Sequence, residues 1–351
     1  MGDRPAIFQN AYPATLVINK KLVPIQRVGE ILVLPATTLS SKTDSGFNND
    51  KGHGVFDTLI DRFCAEHYGY PYDPNCPVDG GRVDTVDFNF YSKYNDKYYK
   101  HSVNKRLLTR VGINRRRATA EEEILYSIEV LNESQDINQK PIYYRSAILV
   151  ADELAEFLQQ FIQNRRHNFR LGGSASRGLG KVEIDLKIPV DAQPNIVNKV
   201  REFNKKLRNR WDEWGNVFGK IEWADRTYFT LDLQADAILT EQWRCTTVIS
   251  EAMLKYFAGV NEDSSLKLEA AYSSYDYRSG WNSAWGLMKD VELVTNKGGV
   301  YLFSVKKERE EEWIEALKYL EEKGVGDRTC EGFGQIQICN KFHLVFREEA
   351  V

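Results

Sequence analysis

Leu171-Gly-Gly-Ser-Ala-Ser-Arg-Gly-Leu-Gly-Lys-Val-Glu-Ile184 and Val325-Gly-Asp-Arg-Thr-Cys-Glu-Gly-Phe-Gly-Gln-Ile-Gln-Ile338 align without a gap across a separation of 154 positions. Gly172, Gly178 and Gly180 fall on Gly326, Gly332 and Gly334. Each copy runs into alternating apolar residues, Val182, Ile184 and Leu186 in one and Ile336 and Ile338 in the other, the period-two signature of a strand. Upstream, residues 152–164 carry Leu154, Phe157, Leu158, Phe161 and Ile162 at helical spacing, and residues 308–322 carry Trp313, Ile314, Leu317 and Leu320 likewise. Strand-like runs at 146–150 and 300–305 precede both. A unit of strand, helix, glycine-rich loop and strand, used twice, is the closing half of a βαββαβ domain.

Working outward, the second occurrence is completed by a strand over 226–240, a short helix over 247–257 and a strand over 266–277. The expected fold is α+β: tandem ferredoxin-like (RRM-like) βαββαβ lobes, each with a glycine-rich loop before its last strand. The first lobe occupies residues 1–190 with a basic insertion at 85–120, a helical connector 191–219, and the second lobe 220–351. The first lobe is less regular. Strands are expected at 15–18 and 31–34 and a helix at 55–67, and residues 71–81, with three prolines and two glycines, read as loop.

Composition removes several classes. With 42% hydrophobic and 12% aromatic residues among 351, the chain is not intrinsically disordered. No stretch approaches the ~20 apolar residues of a membrane span, and no secretory signal is visible. Five scattered cysteines point to a reducing cytoplasm rather than a disulfide scaffold. The net charge of −3 does not advertise a nucleic-acid partner, yet the charges are segregated. Between Lys97 and Arg117 stand eight cations and no acid; between Phe157 and Val182 stand five more, again unopposed. Residues 1–190 hold 25 basic and 23 acidic groups, and residues 191–351 hold 22 and 27.

Glycine-rich loops let backbone N–H groups approach an anion. Neither copy has the Gly-Lys-Ser/Thr ending or the strand-to-helix order of a phosphate loop, so the phosphate-loop and dinucleotide-binding readings fail, and a plain helix-to-strand turn is the bland alternative. The first copy lies among arginines. The candidate RNA contacts are therefore His101, Lys105, Arg106, Arg110, Arg115, Arg116 and Arg117 in the basic insertion, with Tyr91, Tyr94, Tyr98 and Tyr99 as nearby stacking faces. Arg165, Arg166, Arg170, Gly172, Gly173, Ser174, Arg177, Gly178, Gly180 and Lys181 join them around the first loop, and Arg328 around the second. Were the chain a ribonuclease, His101 or His167 would be the base.

The set of motifs resembles the RAMP superfamily of CRISPR-associated proteins. Leu108-Thr-Arg-Val-Gly-Ile-Asn-Arg-Arg-Arg-Ala-Thr-Ala-Glu-Glu-Glu-Ile-Leu-Tyr126 is similar to the superfamily's Arg-rich signature. Asn10-Ala-Tyr-Pro13, Gly54-Val-Phe-Asp57, Ser279-Gly-Trp281 and Arg328-Thr-Cys-Glu-Gly-Phe-Gly334 resemble the two-lobed subunit of type III-D effector complexes. That resemblance implies a non-catalytic subunit holding the 5′ handle of the guide RNA (crRNA), with RAMP backbone subunits and the large subunit as partners, and a RAMP endoribonuclease as the alternative. It also implies a strand and helix ahead of Asn10, where only nine residues stand here, and a small zinc knuckle. For the knuckle the chain offers Cys64, His67, Cys76 and Asp79, but has Ser40 and Ser41 where a cysteine belongs. The expectation is accordingly no metal and no cofactor.

Overall fold

Arg226–Leu233 is buried along almost its whole length, as a strand covered on both faces must be. It lies inside a four-stranded antiparallel sheet whose spatial order is Lys267–Tyr272, Val300–Lys306, Arg226–Leu233, Ile336–Ile338. The computed structural model describes residues 6–18, 21–24, 28–114, 116–117, 119–134, 141–187, 195–282 and 285–351. Among them are five α-helices: α1 (Leu59–Tyr68), α2 (Asp152–Asn164), α3 (Ile196–Phe218), α4 (Glu251–Ala258) and α5 (Glu310–Lys323). In the large sheet, α4 links Arg226–Leu233 to Lys267–Tyr272 and α5 links Val300–Lys306 to Ile336–Ile338, giving the connectivity of a βαββαβ unit. Phe229 stacks between Phe303 and Trp313, which ties α5 to the sheet.

Helix α3 is more than a connector. Its Ile196, Val200, Phe203, Leu207 and Trp211 recur at helical spacing and are buried in the same core as the large sheet. Leu59, Ile60, Phe63 and Cys64 of α1 enter that core too, so one hydrophobic cluster joins elements from both halves of the chain. The Asn195 side chain caps α3 by accepting from the Asn198 N–H at 3.0 Å.

The first half is built from small antiparallel pieces. Thr38–Ser41 lies between Val55–Asp57 and Val83–Thr85, while Leu32–Val33, Phe90–Tyr94 and Lys97–His101 form a second group. Ala6–Phe8 pairs with Ile148–Val150. Two expectations fail here. Residues 182–187 form no strand, although their burial alternates. The Val182 and Ile184 N–H groups instead bond back to the carbonyls of Phe169 and Arg166, at 3.1 Å each. The apolar stripe of α2 is also largely uncovered: only Ile162 is buried, and Phe157 is 69% exposed.

The two glycine loops share one conformation. Gly172, Gly178 and Gly180 have φ of +85°, +87° and +76°, and Gly326, Gly332 and Gly334 have +82°, +94° and +65°. Both enclose a 3-10 turn, Ala175–Arg177 or Thr329–Glu331, preceded by a left-handed Ser174 or Arg328. Both close with the same bond, Leu171 N–H to Gly180 O at 2.9 Å and Val325 N–H to Gly334 O at 2.8 Å. A Cβ at Gly334 would collide with the Val325 carbonyl, whereas one at Gly173 would meet open space. Gly334→Ala should therefore cost well over the ~1–2 kcal/mol of a left-handed non-glycine residue, and Gly173→Ala should leave stability nearly unchanged. Thermal unfolding of the two variants checks this.

The halves are locked by a buried charge cluster. His343 lies between Asp57 and Asp232, with Nδ1 3.1 Å from Asp57 Oδ1 and Nε2 2.7 Å from Asp232 Oδ1. Asp57 also accepts from Thr37 Oγ1 (2.6 Å) and the Leu59 N–H (2.8 Å), and Asp232 from Thr230 Oγ1 (2.7 Å). Burial alone would push the imidazole down; attraction to Asp232 and then Asp57 outweighs it and raises its pKa to about 10.

Candidate RNA-binding surface

The basic insertion folds as a long antiparallel hairpin, Lys105–Asn114 against Thr119–Leu131, that among the described residues shares no strand with another sheet. Its register changes the meaning of the acid-free tract. Lys105 faces Glu129 at 2.9 Å and Arg106 faces Glu133 at 2.9 Å, so acids distant in sequence return as partners of these cations. The second tract behaves the same way. Arg166 pairs with Glu183 and with Asp185 (3.4 Å), and His167 lies 3.6 Å from Glu183. Arg165 stacks over Phe161 at 4.3 Å and Arg170 donates to Leu179 O at 3.4 Å, with Arg170 bridged to Lys181 across the loop neck.

Three cationic and aromatic groups converge nevertheless. Arg110 stands directly opposite Tyr126 in the hairpin. Arg177, from the turn between Gly172 and Gly178, donates to the Tyr126 hydroxyl at 2.7 Å and lies 5.8 Å from its ring. Hairpin and glycine loop thus meet, 51 residues apart in sequence. Among the described residues no carboxylate lies within ion-pair distance of Arg110 or Arg177, and the Arg110 Nε is buried without a hydrogen-bond partner. Around them Gly172, Gly173 and Gly178 have nothing within 4 Å of a would-be Cβ, so that stretch of backbone is open on its Cβ side. Arg116 and Arg117 form the exposed hairpin turn; Arg115 lies outside the described residues.

The second loop is used differently. The Asn10 amide donates to Gly332 O at 2.9 Å, and a Cβ at Gly326 would strike the Ile238 carbonyl. Arg328 is held by Glu292 (3.0 Å) and Glu331 and lies 5.1 Å from the Phe333 ring. The Glu331 hydrogen bond, then its charge and that of Glu292, raise its pKa further. Arg328 therefore clamps its own loop.

His101 is a correction. It is only 2% exposed, not a surface contact. Its Nδ1–H donates to Thr15 O (3.2 Å), which leaves Nε2 to accept from Ser92 Oγ (2.7 Å), and burial lowers its pKa to about 4. Both ring nitrogens are thus engaged inside the protein, which also removes it as a base for RNA cleavage. Of the expected stacking tyrosines, Tyr91 is buried against Tyr98 and Phe342, while Tyr94, Tyr98 and Tyr99 are half-buried.

The proposed knuckle residues separate. Cys64 is buried beside Asp61 in the core, where burial pushes its thiol up to about 12. The His67 ring packs on Phe63 and Trp211. Cys76 and Asp79 instead lie with His53, a residue without local sequence context to mark it, in one ligand-sized group.

Residues 32–183 match the family model of the RAMP superfamily, a span that contains both the hairpin and the first glycine loop. The match spans less than half of the chain. No curated protein matches the chain. Among solved structures, a Cas6 point mutant is 12% identical and superposes at a TM-score of 0.33, covering 56% of this chain and 78% of its own. A Cas6 product complex is 11% identical with a TM-score of 0.28, over 56% and 79% of the two chains. A type III-B Cmr-beta complex bound to cognate target RNA and AMPPnP gives 12% identity and a TM-score of 0.32, over 89% of this chain and 74% of its own. The matched span contains the hairpin turn and the Arg110–Tyr126–Arg177 cluster. No helix among the described residues is long and apolar enough to cross a membrane.

Proposed function

We propose that the chain is a guide-RNA-binding subunit of a type III CRISPR effector complex, built as tandem ferredoxin-like lobes, and that it holds the crRNA 5′ handle without cleaving it. The observation that carries the reading is the convergence of Arg110 and Arg177 on Tyr126 beside an open glycine loop. Two guanidinium groups track successive phosphates, and the tyrosine ring offers a face to a base. The second half suits protein partners, the RAMP backbone subunits and the large subunit: Trp281 and Trp285 project from its surface, Trp285 at 78% exposure. Trp211, by contrast, is core.

Binding of labelled repeat RNA, measured by anisotropy across a salt series, tests the reading. Affinity should fall steeply with salt, by about 0.7 in log K per phosphate contact for each tenfold rise in salt. Reversing Arg115, Arg116 and Arg117 to Glu should abolish association while circular dichroism stays unchanged; undiminished binding would remove the hairpin turn from the interface. The endoribonuclease alternative retains His167, which is exposed and beside Glu183. Repeat RNA incubated with the protein, with Mg²⁺ or with EDTA, should remain intact. Site-specific cleavage lost in His167→Ala would replace the binding-only reading.

A further inference from the structure

We propose that a cleft between the proline-containing loop 71–75, the last turns of α3 and the Arg347–Glu349 turn receives an arginine side chain presented by a protein partner. Its volume of about 450 Å³ falls within the ~300–1,000 Å³ of pockets that take small molecules, well beyond the needs of a single ion. The walls come from both halves of the chain, and no residue of the candidate RNA-binding surface lines them.

One buried carboxylate organises the cleft. Asp61 of α1, only 1% exposed, accepts from Arg210 Nε at 2.6 Å and Nη2 at 3.1 Å, from Trp214 Nε1 at 3.0 Å and from the Tyr72 hydroxyl at 3.3 Å. These bonds fix two aromatic rings before any partner arrives, which lowers the entropy lost on binding. The Phe218 ring lies 5.2 Å from that of Trp214 and 4.0 Å from that of Tyr70. Val217 beside it is 74% exposed, so this wall is apolar and open to solvent. Pro71 and Pro74 stiffen the loop wall, and Arg347 pins it by donating from Nε to Asn75 O at 2.7 Å.

Charge decides the occupant. Asp61, Asp73, Glu213 and Glu348 line the cleft with Arg210 and Arg347, four negative charges against two positive. Glu213 and Glu348 reach Arg210 at 2.9 and 3.2 Å, yet their side chains stay 61% and 54% exposed and keep acceptor capacity for a second cation. The last turn of α3 carries no basic residue, so nothing in that turn offsets the negative end of the helix dipole. A phosphate is repelled here. An ammonium group would answer the charge alone, whereas a planar guanidinium also stacks on an aromatic ring and bonds a carboxylate side-on.

The test is fluorescence anisotropy of a fluorescein-labelled Gly-Ser-Arg-Gly-Arg-Ser-Gly peptide titrated with the full chain, beside peptides carrying Lys, Gln or Glu at both Arg positions. The Arg peptide should bind with a Kd below about 1 mM, the Lys peptide several-fold more weakly, and the Gln and Glu peptides not measurably. Glu213→Gln combined with Glu348→Gln should weaken the Arg peptide about 10-fold or more. Val217→Arg should do the same, because it sets a guanidinium of the chain's own on the exposed wall while leaving the Asp61 bonds untouched. Arg110→Gln with Arg177→Gln should leave peptide binding unchanged. Failure of the Arg peptide to bind at about 1 mM overturns the proposal. So does equal binding to the wild type and the Glu213→Gln, Glu348→Gln variant, or a Glu peptide that binds as well as the Arg peptide.

Discussion

Reversing Arg110 and Arg177 together to glutamate is expected to weaken repeat-RNA binding by about 100-fold or more and to flatten its salt dependence by roughly two phosphate contacts. Arg110 stands opposite Tyr126 and Arg177 donates to its hydroxyl, and neither has a carboxylate partner among the described residues, so each has its charge available to a phosphate. Replacing them with acids removes two attractions and adds two repulsions. Lys105→Glu and Arg106→Glu should cost much less, because Glu129 and Glu133 already offset those charges. The two pairs form an internal comparison: equal changes in net charge and unequal changes in affinity. Equal losses from both would mean that only the overall field matters and that the Tyr126 cluster is no site. Because Arg110 is half-buried, Arg110→Gln with Arg177→Gln provides a milder check, with a smaller loss in the same order.

His343→Ala should destabilise the chain by about 3–5 kcal/mol, the range for removing one member of a buried ion cluster. Asp57 and Asp232 would then face each other without a cation in a site that water does not reach. Asp232 sits in the central strand of the large sheet and Asp57 in the small sheet of the first half, so the loss falls on the junction between them. The pH dependence has a definite sign. The folded-state pKa is raised from 6.5 to about 10, so the stabilisation is full below about pH 6.5 and is lost as pH climbs toward 10. Urea unfolding from pH 6 to 10 should show a declining free energy, and the decline should be much shallower in His343→Gln. A wild-type curve flat over that interval would contradict a charged imidazole at this position.

Much of the architecture was legible because it follows from local periodicity. The repeat of Gly172, Gly178 and Gly180 in Gly326, Gly332 and Gly334 returns as two loops with matching dihedral angles, since a left-handed backbone selects glycine wherever it occurs. The stripe of Trp313, Ile314, Leu317 and Leu320 likewise returns as the buried face of α5. Boundaries were less accurate: the helix read over 55–67 begins only at Leu59, after Val55–Asp57 has paired as a strand.

What local pattern cannot contain is register. Arg177 and Glu331 occupy equivalent places in the two loops, so the alignment already separated a cationic copy from an acidic one. It could not say that Lys105 and Arg106 would be offset across a hairpin, nor that Arg177 would reach Tyr126. His101 reads as one more cationic or stacking group in a basic tract, and only the packing of Lys97–His101 against Phe90–Tyr94 turns it inward to Ser92 and Thr15. The same holds for His53 with Cys76, and for His343 with Asp57 and Asp232, partners 23, 286 and 111 residues apart. By itself the sequence determined the repeated unit, its helices and the two glycine loops, because each is encoded in the spacing of neighbouring residues. Which charges are offset, which histidines are buried and which ligand atoms meet was decided only by the tertiary structure, because electrostatics acts through distances of a few ångströms that chain separation does not record.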